Sequence, residues 1–241
     1  MPSRLSILAF SVSLAAASSS LAQPALPGGL DAGPHAVGFR LIAVEDATRV
    51  TGGRVAAGDR AARRARTLRV HVWHPAAAPG TPLTIAGYLS IAGPAAGNHR
   101  ADLTRTMGLT LTDDEWAAYT GFAMTAARDA APADGRFPLI VGMLRPVSSV
   151  AAAEHLASHG YVVAYVERQP REVIAAEGRA REGLLMMEHV RDMEVAIARL
   201  REEPYVDRTR LGAQGFSGDG LAQLVLAMRH PDVDAVALFE S

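Results

Sequence analysis

Gly215-Phe216-Ser217-Gly218-Asp219-Gly220 places one serine in a run of small residues between two apolar stretches. The stretch before it, Arg210 to Phe216, reads as a short strand, and Leu221 to Met228 after it has helical spacing. A sharp strand-to-helix turn lifts a serine hydroxyl above a sheet, the setting of a nucleophile elbow. Glycine two residues before the serine tolerates the crowding of such a turn. The backbone N–H of Gly218 would then lie at a helix N-terminus, where it can stabilise a developing oxyanion. The pattern G-x-S-x-G is met except at its fifth position, where Asp219 stands and glycine follows at Gly220. A carboxylate there gains from the helix dipole yet repels incoming negative charge. The alternative for the same residues is a turn in which Ser217 caps the helix and does no chemistry.

A serine nucleophile needs an adjacent base. Of eight histidines only His230 follows Ser217, and it ends a helix just before Pro231, where a cation complements the dipole. His155 and His159 share a helix face at i, i+4, a spacing that can bind a metal. No third ligand stands near them, and His159-Gly160 reads better as a helix C-terminus, so no metal site is expected. His71 and His74 flank Trp73 on a strand and are expected to be half-exposed. With no cysteine, thiolate nucleophiles, disulfides and zinc–thiolate sites are excluded. No G-x-G-x-x-G follows an early strand, which argues against a nucleotide binder; no cofactor is expected.

The elements that must hold Ser217 in place are legible from hydrophobic period. Val37 to Val44 and Leu68 to Trp73 read as the two strands of a hairpin. Residues 96 to 133 read as helical or irregular, with Thr112 capping an acidic first turn, Asp113-Asp114-Glu115. Beyond them strand and helix alternate. Phe137 to Leu144 and Gly160 to Val166 are continuous apolar runs, as in strands buried on both faces. Ser148 to Ser158 and Arg179 to Glu202 read as helices, the second with Leu184, Met187, Val190, Met193, Ile197 and Leu200 at helical spacing. After the elbow helix, Asp234 to Phe239 is a last strand. This alternation predicts right-handed crossovers and a mostly parallel sheet with helices on both faces. No covering helix follows that last strand, so the domain reads as C-terminally incomplete.

Composition adds a few bounds. The 241 residues, 49% hydrophobic with a mean hydropathy of +0.10, suffice for one sizeable core. A net charge of −1 calls for neither nucleic acid nor an anionic membrane as partner. Arg4, the apolar run from Leu5 to Ala17 and the small-residue exit Ser20-Leu21-Ala22 form the parts of a secretory signal, residues 1–22, with cleavage before Gln23. The run is too short for a membrane span, and after cleavage a secreted or periplasmic protein is expected. Residues 23–36, rich in Pro, Gly and Ala, read as a linker to a domain over 37–241.

Four segments carry a family resemblance. They are Val70-His71-Val72-Trp73-His74-Pro75-Ala76, Gly135 to Val141, Glu154-His155-Leu156-Ala157-Ser158-His159-Gly160-Tyr161-Val162-Val163, and Val206 through Ser217. Together they resemble the dienelactone hydrolase and platelet-activating-factor acetylhydrolase branch of the α/β-hydrolases. The resemblance implies an α/β-hydrolase-type sheet with an N-terminal antiparallel hairpin, and a Ser–Asp/Glu–His triad without a metal. It implies a small-molecule carboxylic ester as substrate, with Ser217 as nucleophile. In the acetylhydrolase-like arrangement the acid ends the strand after the elbow helix, the place of Glu240, 23 residues beyond the serine. Glu240 can equally be a charge ending a strand. The triad histidine, which follows the acid in such chains, has no counterpart after Ser241. Relatives carry a Gly-rich loop for the second oxyanion donor, and this chain has Arg145-Pro146-Val147-Ser148-Ser149 there. Pro146 has no N–H, leaving Arg145 or Val147. The alternative is a non-catalytic protein of the same fold that binds rather than cleaves. Oligomeric state is not legible.

Overall fold

The computed structural model describes residues 30–51, 64–93, 97–144, 149–168 and 178–239. Residues 1–22, read from the sequence as a signal, most of the expected linker, Arg145 to Ser148 and Glu240 lie outside the described residues.

An eight-stranded sheet in the order β3-β4-β1-β2-β6-β5-β7-β8 forms the frame. Strands β1 (Ala36–Thr51) and β2 (Arg64–Ala76) make the antiparallel hairpin, with Phe39 opposite Trp73. The strand next to β2 is β6 (Val162–Val166), paired antiparallel. From there β5 (Phe137–Met143), β7 (Val206–Phe216) and β8 (Ala235–Phe239) run parallel to β6. The expected mixed sheet with an N-terminal hairpin is therefore present. Two short strands extend it past β1: β4 (Ala123–Arg128), parallel to β1, and β3 (Pro82–Thr84), antiparallel to β4. The sequence reading had assigned the β4 segment to helix or irregular chain. Its Ala-Met-Thr-Ala-Ala-Arg composition lacks the β-branched and aromatic residues that mark strands.

Helices cover both faces. On one lie α5 (Gly178–Leu200) and α6 (Gly220–Arg229), burying Val190, Met193, Ile197, Leu200, Ala222 and Leu226 against the sheet. The other face takes α1 (Ile85–Ala92) and α4 (Val150–Ser158), through Ile85, Tyr88, Val150, Ala153 and Ala157. Side chains alternate along a strand, so Val162, Ala164 and Val166 of β6 face the first cluster while Val163 and Tyr165 face the second. Helices α2 (His99–Met107) and α3 (Asp113–Gly121) complete the set, and α3 begins with the Thr112/Glu115 capping box. On α5 the inward face uses Leu185, not Leu184, which is half-exposed. No helix among the described residues is long and apolar enough to cross a membrane.

Coverage of both faces also corrects the expectation for two histidines. His71 and His74 are 2% and 0% exposed. His71 stacks on Trp73, and its Nε2 is 2.7 Å from Glu167 Oε1; His74 Nδ1 is 3.0 Å from the Pro75 carbonyl. Period-two alternation separates inside from outside only when one face meets water.

The hairpin is longer than its apolar pattern. Val70 pairs with Val166 at the end of β6, and Glu167 N–H donates to the Arg69 carbonyl at 3.0 Å. Residues 43–51 and 64–68 therefore project past the edge at which the parallel strands end. This arm is charged, and α5 holds it. Arg49 reaches Glu188 at 2.9 Å and Asp192 at 2.7 Å, and Arg66 reaches the same carboxylates at 2.7 and 2.5 Å.

Candidate active site

The C-terminal edge of the parallel strands brings together Leu144 after β5, Glu167 and Arg168 after β6, and Ser217 after β7. Phe216, the last residue of β7, is extended, with φ −126° and ψ 129°. Ser217 then turns to φ +51°. A single 3-10 turn, Ser217–Asp219, leads directly into α6. Left-handed backbone costs a non-glycine residue about 1–2 kcal/mol and persists only where its surroundings enforce it. Here they do. A Cβ on Gly215 would lie 2.7 Å from the Gly220 Cα and 2.7 Å from Gln223 Oε1, so β7 and α6 meet too closely for any side chain there. The close approach falls on Gly220, one residue later than in G-x-S-x-G, which leaves position 219 room for a side chain.

Ser217 and Gly218 are exposed. Asp219 is buried, 8% exposed. Its carboxylate forms an ion pair with the Arg168 guanidinium, which crosses the end of β5 from the end of β6. Phe216 and Phe239 are side by side in the sheet and 40% and 50% exposed, giving the rim beside Ser217 an apolar character.

The histidines fall elsewhere. Among the described residues none is hydrogen-bonded to Ser217. His71 with Glu167 looks like a base and its acid, but it is closed to solvent. It also lies on β2, three strand spacings or roughly 14 Å from β7. His230 sits at the C-terminal end of α6, its Nε2 3.1 Å from Glu194. His155 and His159 pack ring to ring at 4.5 Å. No group of three or more metal-ligating side chains occurs among the described residues.

His189 was not singled out from the sequence. It lies on α5 one turn before Met193, whose sulfur contacts Gln223 one turn into α6. Burial first, then the charges of Arg168 and Arg66, push its imidazole down to about 4. It is neutral at pH 7. The Arg168–Asp219 pair was also missed, because nothing local in the sequence links the end of β6 to the elbow.

No protein-family model matches the chain, and no curated protein matches it. Solved structures do. A ferulic acid esterase from Streptomyces cinnamoneus superposes with a TM-score of 0.58 at 22% identity, over 82% of this chain and 57% of the esterase. The fold is that of an α/β-hydrolase. The chain thus spans little more than half the length of that esterase. Weaker likenesses are to m3DLH, with a TM-score of 0.45 at 15% identity, covering 85% of this chain and 59% of that one. In this sheet Ser217 occupies the strand-to-helix turn after β7, the parallel strand next to the edge strand β8.

Proposed function

We propose that this protein is a serine hydrolase of carboxylic esters with Ser217 as its nucleophile. The observation that carries the reading is the left-handed backbone of Ser217, +51°, in an exposed turn between β7 and α6. Strain of this kind is kept where a side chain must be aimed. The resemblance to an esterase fold and the apolar rim of Phe216 and Phe239 support an ester with an apolar acyl or alkyl group.

In the proposed reaction Ser217 Oγ attacks the ester carbonyl carbon and its proton passes to a base. Negative charge gathers on the carbonyl oxygen, where the Gly218 N–H can donate. Collapse of the tetrahedral intermediate expels the alcohol, which takes up the proton, and leaves an acyl-Ser217. Water, deprotonated by the same base, then releases the carboxylic acid and restores the serine. Glu240 is the proposed acid that orients the base. None of the described histidines is hydrogen-bonded to Ser217.

The test is covalent. In a form of the protein that includes the base, a fluorophosphonate probe should label Ser217 and short p-nitrophenyl esters should be cleaved. Ser217→Ala should abolish labelling and lower turnover by several orders of magnitude. A wild-type protein that binds ester analogues but neither labels nor turns over would be a non-catalytic binding protein on the same fold.

A further inference from the structure

We propose that the ion cluster joining the hairpin arm to α5 is a latch, which fixes where the arm stands beside the C-terminal edge and adds little to the stability of the fold. It stands apart from any role of Ser217. The register of the hairpin prepares it. Asp46 pairs with Arg66 and Val50 with Ala65, so Ala47, Thr48 and Arg49 have no opposite residues on β2. A bulge of this kind bends a strand and re-aims its side chains. Asp46 organises the bulge. Its carboxylate accepts from the Thr48 N–H at 2.8 Å and the Thr48 hydroxyl at 2.5 Å, and pairs with Arg49. Arg49 is thereby delivered to the same face of α5 that Arg66 reaches from the other strand.

Glu188 and Asp192 are one helical turn apart on that face. Each arginine meets both carboxylates, at 2.5 to 2.9 Å, so side chains from β1, β2 and α5 close a ring. Releasing any one of them breaks at least two pairs. The ring is deep, with the side chains of Asp192 at 0%, Arg66 at 6% and Arg49 at 13% exposure. Depth makes it a poor source of stability. Each charge loses its hydration, and attraction between the partners does little more than offset that cost. Asp192 shows the balance: burial, the largest influence, pushes its carboxyl up to about 6 although Arg66 and Arg49 oppose the rise. Nor is the ring tuned for hydrogen bonding, since Arg49 Nη2, Asp192 Oδ1 and Arg66 Nε are buried without a well-aligned partner. What such a ring supplies is direction. Apolar contacts tolerate sliding, whereas guanidinium forks and carboxylates meet in one orientation.

Two readouts separate position from stability. The chain has no cysteine, so nitroxides on Glu45→Cys and Met228→Cys, both exposed, report the arm-to-α6 distance by electron spin resonance. The decisive variant is the neutral swap Arg66→Met with Asp192→Leu. It strands no charge, because Arg49 keeps Asp46 and Glu188, and Glu188 keeps Arg191. The urea midpoint of the swap should stay within about a tenth of the parent's, while the distance distribution widens about twofold or more. Asp192→Asn, which removes one charge and keeps the shape, should widen it by a smaller factor. A swap that unfolds, or melts at a much lower urea concentration, would overturn the proposal by making the ring a source of stability. A distribution as narrow as the parent's in both variants would overturn it too, by showing that the ring does not set the arm's position.

Discussion

The two flanks of the sheet solve burial in opposite ways. On the β1/β2/β4 flank, polar groups lie deep, and Trp73, Tyr88, Glu154 and Thr125 answer one another in a chain of hydrogen bonds. Trp73 Nε1–H donates to the Tyr88 hydroxyl at 3.0 Å, and Tyr88 donates to Glu154 at 2.7 Å. The other oxygen of Glu154 accepts from the Thr125 N–H and hydroxyl, both at 2.7 Å. One carboxylate, 0% exposed, thereby joins α4, α1, β2 and β4. On the β7/β8 flank the reverse holds. Leu221, Leu224, Met228, Leu238 and Phe239 are apolar and between 42% and 84% exposed, and the buried carboxylate of Asp219 pairs with a half-exposed arginine. Among the described residues, one flank is joined by hydrogen bonds between buried polar groups, and the other presents apolar side chains at its surface.

The sharpest break of that contrast is at Glu154. Glu154→Ala strands three donors inside the second core cluster and should destabilise the fold by about 3–5 kcal/mol, read from urea unfolding. A loss under about 1 kcal/mol would mean the chain of hydrogen bonds is not what holds that flank.

A middle effect is expected beneath the elbow. His189 is held neutral, with its folded value near 4 against an ordinary 6.5. The unfolded chain binds a proton there more readily than the folded one, so stability rises with pH across this window. Its contribution is complete above about pH 6.5 and is lost as pH falls toward 4. Melting temperatures measured from pH 7 to 4 should fall, and His189→Gln should flatten that slope. An unaltered slope in the variant would place the titrating group elsewhere.

The smallest effect belongs to the open flank. Met228 is 84% exposed, so Met228→Ser should change unfolding free energy by no more than about 0.5 kcal/mol. A loss of about 2 kcal/mol or more would show that this side chain is covered in solution.

The parallel half of the sheet was legible because strands buried on both faces leave unbroken apolar runs, as at Phe137 to Met143 and Val162 to Val166. The strand-to-helix turn at Ser217 was legible because its small residues stand between a strand pattern and a helix pattern. What stayed hidden was long-range. The hairpin arm looked like polar connection because Arg49 and Arg66 find their carboxylates on α5, more than a hundred residues away. The same distance concealed the partner of His71, and β4 was hidden by its alanines.

The backbone at Ser217 has one more consequence, and it concerns selection. At +51° a glycine would fit without strain, so folding alone favours replacing this serine. Ser217→Gly should leave the fold at least as stable as it is. If Ser217 is the nucleophile, its hydroxyl is kept for chemistry at a cost in stability.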